Sequence, residues 1–321
     1  MKNLFEIKIS IAIPIYNEEG VLRAFLDRLL SQTKAPEEII FCDGGSSDST
    51  LSILREYQNT YPSIKIVKRK GTCRGAGRNS AIESSQSDFV ALIDAGNLPE
   101  INWLELLVEE IVLNPEIEVI YGAVYPEQSN AITKSLSSFI LGRKSHNQML
   151  EKSVASMIIK KEAWKKVGKF PQSEDGSYIV EDLRFLDQID KKDLYSISKK
   201  SAFTRWNLPK GYTEIYKRFY NLTLGANKSG YSNMLVGGII RNYSICLLIF
   251  VLAVFASWYI LVLIPIFLVY RVYCYHKFNN WFEKGNLIEK SNFLFSGLLV
   301  FSVIDIASLS SYIFSVFSSD E

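Results

Sequence analysis

Two carboxylates close apolar runs and are followed by small residues. Asp43 ends EIIFCD and leads into Gly44-Gly45-Ser46-Ser47-Asp48; Asp94 ends FVALID and leads into Ala95-Gly96-Asn97. A carboxylate before two glycines can turn tightly and come close to a ligand. There Asp43 could accept hydrogen bonds from a nucleobase or a ribose, and the plain alternative is an Asp-Gly turn plus a helix N-cap. A carboxylate ending an apolar strand is costly unless it is paired or bound to a cation. Oxygen ligands suit Mg²⁺ or Mn²⁺, and a metal bridging a diphosphate needs only one or two protein carboxylates. The alternative for Asp94 is a cap on the helix near Trp103. Other metals are less well served. Cys42, Cys73, Cys246 and Cys274 have no CxxC spacing and the chain has only two His, which argues against a zinc site and against a disulfide framework.

Alternating elements would position these groups. Residues 8–15 (KISIAIPI), 38–42, 64–68, 89–94 and 119–124 read as strands. Residues 18–31, a segment through Leu51, Leu54 and Tyr57 capped by Ser46, Ser47 or Asp48, residues 74–84 and residues 104–113 read as helices. Such alternation predicts an α/β fold with a mainly parallel, doubly wound sheet. Ligands then sit at the carboxyl ends of the strands, which singles out Pro14–Glu18, Asp43–Ser46 and Asp94–Asn97.

The average composition conceals a division. The 321 residues carry 36 Lys+Arg and 34 Asp+Glu, a net charge of +2, and the mean hydropathy is +0.07. Such a balance, with no basic stripe, argues against a nucleic-acid partner. Only five basic and five acidic residues lie after position 240, leaving 31 and 29 before it. The sequence therefore divides into a charged domain over 1–230 and a membrane region over 231–321. Spans are expected at about 235–256, 257–275 and 293–317, turning near Ser257-Trp258, with Arg241 reaching toward headgroups. A buried helical subdomain is the alternative. Lys277, Lys284 and Lys290 in the loop, against Ser-Ser-Asp-Glu in the tail, put that loop and the first domain in the cytoplasm. The start, MKNLFEIKIS, runs into a β-like stretch, so no signal peptide is expected. Tyr212, Ile215, Tyr216 and Phe219 fall at helical spacing beside Lys210, Lys217 and Arg218. That pattern suits an amphipathic helix at about 210–224, lying in the membrane interface or packed on the first domain.

Five segments in order, IAIPIYNEE (11–19), CDGGSSDST (42–50), CRGAGRN (73–79), LIDAGNLP (92–99) and IVEDLRF (179–185), resemble the family 2 glycosyltransferases of the GT-A fold. The likeness covers about residues 8–230. It implies that Pro14, Tyr16, Asn17 and Glu18 line the nucleotide and that Asp43 binds the base. It also implies that Arg78 and Asn79 lie near the nucleotide sugar, with Arg74 close enough to neutralise diphosphate charge. The metal carboxylate is implied at Asp94, although the family's Asp-x-Asp reads Asp94-Ala95-Gly96 here, with Asn97 as a polar substitute. Glu181 and Asp182 match the acceptor-base motif, with Asp182 as the base. Taken alone, the pair reads equally as acidic residues favoured at a helix N-terminus. The glycine of Asp175-Gly176-Ser177 suggests a loop that admits an acceptor. Arg205-Trp206, on the acceptor side, resembles the Gln-x-x-Arg-Trp motif of processive members, but position 202 is Ala.

The resemblance implies an inverting, Mn²⁺- or Mg²⁺-dependent glycosyltransferase, and the apolar tail places it in the cell membrane, with its site at the headgroups. It would use a UDP- or GDP-sugar and a polyprenyl-linked or polyprenyl phosphate acceptor, in synthesis of a surface glycan. A processive polysaccharide synthase is the competing enzyme. A degenerate sugar-nucleotide-binding membrane scaffold is the alternative of another class.

Overall fold

The structure, a computed structural model, describes residues 6–69, 73–142, 149–173, 180–276 and 285–317. The 175–177 loop, Lys277, Lys284 and the Ser-Ser-Asp-Glu tail lie outside the described residues. Contacts divide the chain into two compact units, Met1–Tyr125 with Met149–Asn207, and Pro126–Gln148 with Leu208–Glu321. The division at 230 followed the change in composition, whereas these units follow packing.

The first unit runs β1 (Ile9–Ile15), α1 (Glu19–Leu30), β2 (Glu38–Asp43), α2 (Thr50–Thr60), β3 (Ile64–Lys68), α3 (Arg74–Ser84), β4 (Phe89–Ile93), β5 (Asn97–Pro99), α4 (Trp103–Leu113) and β6 (Val119–Pro126). Helix α5 (Ala131–Leu141) belongs to the second unit. The first unit then resumes with β7 (Ser156–Lys160), α6 (Lys161–Lys166), α7 (Glu181–Lys191) and β8 (Ser196–Trp206). The sheet order is β3-β2-β1-β4-β7-β6-β8-β5.

Strands β3, β2, β1 and β4 are parallel, as expected. The other half is not: β7 runs antiparallel to both β4 and β6, and β5 runs antiparallel to β8. The sheet is therefore mixed. Alternation along β1 explains its two covered faces. Ile11 and Ile13 belong to a core that takes in Phe25 and Leu29 of α1 and Trp103 and Leu107 of α4. Ala12, between them, belongs to a second core with Ile82 of α3 and Trp164 of α6 and Phe185 of α7. In the register Ile15 lies opposite Asp43, and Ala12 opposite Leu92. The loops after β1, β2 and β4 therefore open at one edge of the sheet.

The second unit continues with α8 (Tyr212–Lys228), α9 (Ser232–Phe255), a 3₁₀ turn over Trp258–Val262, α10 (Leu263–His276) and α11 (Leu287–Phe317). Three stretches, Val236–Phe255, Trp258–His276 and Leu287–Phe317, are long and apolar enough to cross a membrane. The break falls at Ser257-Trp258, as read from the sequence. Helix α8 packs along α11. Its Ile215 and Phe219 are buried, with Phe219 edge-on to Phe139 of α5 at 5.6 Å, while Tyr212 stays exposed. Half of the stripe read as an interfacial face is thus spent on neighbouring helices, because those apolar side chains find α5 and α11.

Asp305, the acidic residue midway along the third span, is fully buried. Arg271 of α10 holds it through both terminal nitrogens, with Nη2 at 2.8 Å from Oδ1, and the Tyr243 hydroxyl of α9 donates to Oδ2 at 3.2 Å. Three helices are joined through one carboxylate. Asp305→Ala strands a buried guanidinium and is expected to cost about 3–5 kcal/mol. Arg271→Met/Asp305→Leu, which removes both charges, is expected to recover most of that. Thermal unfolding in detergent checks this; a double variant as weak as the single one contradicts it.

Candidate active site

The loop after β1 is shaped first by Asn17, whose φ of 53° places it in the left-handed region, where Asn is among the residues least penalised. That turn aims Asn17 N–H at Ser46 Oγ (3.0 Å) and Asn17 Oδ1 at Ser47 N–H (2.9 Å). Ser46 Oγ in turn donates to Asp43 Oδ1 at 2.6 Å. Asp43 also accepts from the Ser46 and Gly45 amides at 3.1–3.3 Å. Gly45 sits at φ 94°, a conformation that favours glycine. Glu18 N–H donates to Thr50 Oγ1 at 2.8 Å, and Asp48 accepts from the Glu19 and Thr50 amides. The first two loops are therefore sewn together, leaving Tyr16 exposed at 59% beside Gly44. Asp43, expected to meet a base, is nearly buried, and both of its oxygens serve its own turn.

Helix α3 begins beneath these loops, and its glycines are explained by close approach. A Cβ on Gly77 would lie 3.2 Å from Pro14 Cβ, and one on Gly75 would lie 2.3 Å from the Pro171 carbonyl and 3.3 Å from Glu181. Pro14, expected at the nucleotide, thus has its ring against α3. The Gly-x-Gly spacing in CRGAGRN was the signal for this contact.

Arg78 lies at the centre of the site. Its Nη2 donates to Asp94 Oδ1 at 2.7 Å, and its Nη1 donates to Glu181 Oε1 at 3.1 Å and to Asp182 Oδ1. The guanidinium is 1% exposed and lies 5.4 Å from the Phe170 ring centroid. Burial works against its charge, but Asp182, Asp94 and Glu181 outweigh it and raise its pKa. Of the carboxylates, Glu181 is buried, while the Asp182 and Asp94 side chains are 33% and 29% exposed. Burial first, then the neighbouring Asp182, pushes Glu181 up to about 7 against the pull of Arg78 and Arg74. Glu181 and Asp182 open helix α7, so the helix-terminal reading of that pair holds as well.

Asn79 does not reach toward a ligand. Its amide is closed on Phe170, accepting from Phe170 N–H and donating to the Phe170 carbonyl at 2.9 Å each, and it accepts from Trp164 Nε1 at 3.2 Å. It is buried and fixes the ring that covers Arg78. Phe170 stacks in turn on Phe185 at 3.8 Å. Arg74, in the first turn of α3, is exposed and close enough to act electrostatically on Glu18 and Glu181. Burial raises the pKa of the Glu18 carboxyl, Arg74 lowers it, and Asp94 and Asp48 raise it further.

Asp94 does not cap the helix that follows, because Asn102 stands at the N-cap of α4. Asn97, the polar substitute read from the sequence, is buried in β5 and donates its amide nitrogen to the Ala155 carbonyl at 3.4 Å. Among the described residues no cluster of three or more His, Cys, Asp or Glu side chains is placed to bind a metal. Asp94 is part-exposed and would fit a hard cation that draws its remaining oxygen ligands from substrate and water. Trp206 pairs with Asn97 across β8 and β5, which brings it to the Asp94 loop. Arg205 instead forms a largely exposed ion pair with Glu100 at 2.9 Å.

Residues 10–167 match the family model described as glycosyl transferase family 2. The chain is similar to a poly(ribitol-phosphate) beta-glucosyltransferase of Bacillus spizizenii, 38% identical over 27% of this chain and 14% of that protein. It is also similar to a UDP-Glc:alpha-D-GlcNAc-diphosphoundecaprenol beta-1,3-glucosyltransferase of Escherichia coli, 29% identical over 44% of this chain and 55% of that one. The chain thus spans about half or less of the length of these curated relatives. In fold it is similar to a mannosyltransferase of Pyrobaculum calidifontis solved with GDP-Man and Mn²⁺, at a TM-score of 0.55 and 15% identity, covering 97% of this chain and 87% of that one.

Proposed function

This chain belongs to glycosyl transferase family 2, and we propose that it is an inverting, membrane-anchored transferase that moves a sugar from a UDP- or GDP-sugar to a polyprenyl-linked acceptor in the assembly of a surface glycan. The observation that carries this reading is the pairing of two part-exposed carboxylates, Asp94 and Asp182, on one buried arginine.

The chemistry follows from those positions. Tyr16 offers an exposed ring to the nucleobase, and Arg74 offers positive charge to the diphosphate. Asp94 would hold a divalent cation, which when bound would supply further positive charge to the diphosphate. Asp182 takes the proton of the acceptor hydroxyl as that oxygen forms its bond to the anomeric carbon. The bond from that carbon to the phosphate oxygen breaks, and the nucleoside diphosphate leaves with the electron pair. One displacement inverts the centre. A phosphate acceptor is already anionic and has no need of this base, so Asp182 favours a lipid-linked sugar over polyprenyl phosphate.

Three apolar helices supply the anchor, and the printed name of the Escherichia coli relative supports an undecaprenyl-linked acceptor. Lysine-rich residues 277–290 support a cytoplasmic catalytic domain. A screen of UDP- and GDP-sugars on detergent-solubilised protein, with Mn²⁺ or with EDTA, tests the donor side. Metal-dependent consumption of one of these donors is expected; no consumption of any of them contradicts the proposal.

A further inference from the structure

We propose that Arg78 is a positioning residue that holds Asp182 and Asp94 in fixed register, and that it is not a ligand of the donor diphosphate. This inference rests on the transferase reading given above. The resemblance placed Arg78 beside the nucleotide sugar. The geometry gives the guanidinium other work. Its terminal nitrogens serve three carboxylates, and at 1% exposure it offers no face to a nucleotide.

The partners come from distant parts of the chain. Asp94 is 16 residues from Arg78, Glu181 is 103 and Asp182 is 104. One residue ends up after β4 and the other two in the first turn of α7. Without a cation between them, these carboxylates would repel one another and retreat toward solvent. A planar fork with fixed donor directions can hold Asp94 on one terminal nitrogen and the α7 pair on the other, which a point charge on a flexible stem cannot do. The base of the transfer and the carboxylate nearest the leaving group are thereby set by a single rigid group.

The surroundings fix that group in turn. Phe170 lies over the guanidinium, and Asn79, the next residue along α3, clamps the Phe170 backbone from both sides. Gly75, one turn earlier, lets α3 approach Glu181 closely enough for the bonds to form. The Arg-Asn pair of α3 is therefore one device: Arg78 gathers the acids and Asn79 holds the ring that keeps Arg78 in place.

Arg78→Lys keeps the charge and loses the fork. In the full-length protein in detergent, kcat is expected to fall by about 10–100-fold while the donor Kd, measured by calorimetry in EDTA with the same nucleotide-sugar so that the cation at Asp94 does not enter, moves by less than about threefold. A diphosphate ligand would give the opposite split, a weakened donor Kd with kcat retained, and that result overturns the inference. So does a variant equal to wild type in both. If Arg78→Lys does not fold, the decision passes to Arg78→Gln/Glu181→Gln, where loss of the cation is matched by loss of a buried carboxylate, and the same split is read. Wild type separates the two levels of the argument. If wild type consumes no donor, the transferase reading falls; if wild type is active and Arg78→Lys is indifferent, only the positioning role falls.

Discussion

Asp182→Asn is expected to reduce sugar transfer by about 10²–10⁴-fold while leaving donor affinity unchanged. The substitution isolates the proton. Asn keeps a carbonyl oxygen where Asp182 Oδ1 receives Arg78 Nη1, so the gathered geometry survives and only the basic oxygen is lost. The buried neighbour Glu181 cannot take over, since its carboxyl faces Arg78 rather than open space. Transfer rates with labelled donor, beside donor binding by calorimetry, check this. A variant that retains turnover within about tenfold would move the base elsewhere or point to an acceptor that is already anionic.

Asp94→Asn is expected to have the second large effect. Asn again accepts from Arg78 Nη2, which avoids stranding a buried cation, but it withdraws the negative charge that would hold a divalent ion. Turnover should fall by roughly 10²–10³-fold, the range found when one preorganised stabiliser of developing charge is removed. Donor affinity in Mn²⁺ should then equal donor affinity in EDTA. Wild-type turnover that is indifferent to EDTA contradicts the role given to Asp94.

The parallel half of the fold was legible because its strands are apolar runs between amphipathic helices; residues 64–68 and 74–84 match β3 and α3 to the residue. In the antiparallel half only β6 was, read as residues 119–124. Strand β8 (SISKKSAFTRW) mixes two lysines and an arginine with small residues and is only part-buried, so it carries no apolar run to find. Strand β5 has three residues. Helix α5 reads as part of the charged domain, yet its Phe139 lies between Phe219, Tyr275 and Phe301 in the helical unit. The acidic residues of the site were visible as motifs. Arg78 was visible too, in CRGAGRN, but its role as their common partner was not, because nothing in the sequence ties it to acids 16, 103 and 104 residues away. The hold of Asn79 on Phe170 was hidden for a related reason: a motif position shows that a side chain matters, not what it touches. The family match ends at 167, so Glu181, Asp182, Arg205 and Trp206 rest on geometry and on resemblance of motif alone.

The central claim is transfer from a nucleotide-sugar to a lipid-linked acceptor. Detergent-solubilised protein, Mn²⁺ and a radiolabelled donor found active in the screen would be incubated with a polyprenyl-diphosphate-linked sugar and then extracted between organic solvent and water. The account predicts label entering the organic phase with wild type and not with Asp182→Asn. Label that appears only on soluble acceptors, with the lipid-linked sugar untouched, contradicts it.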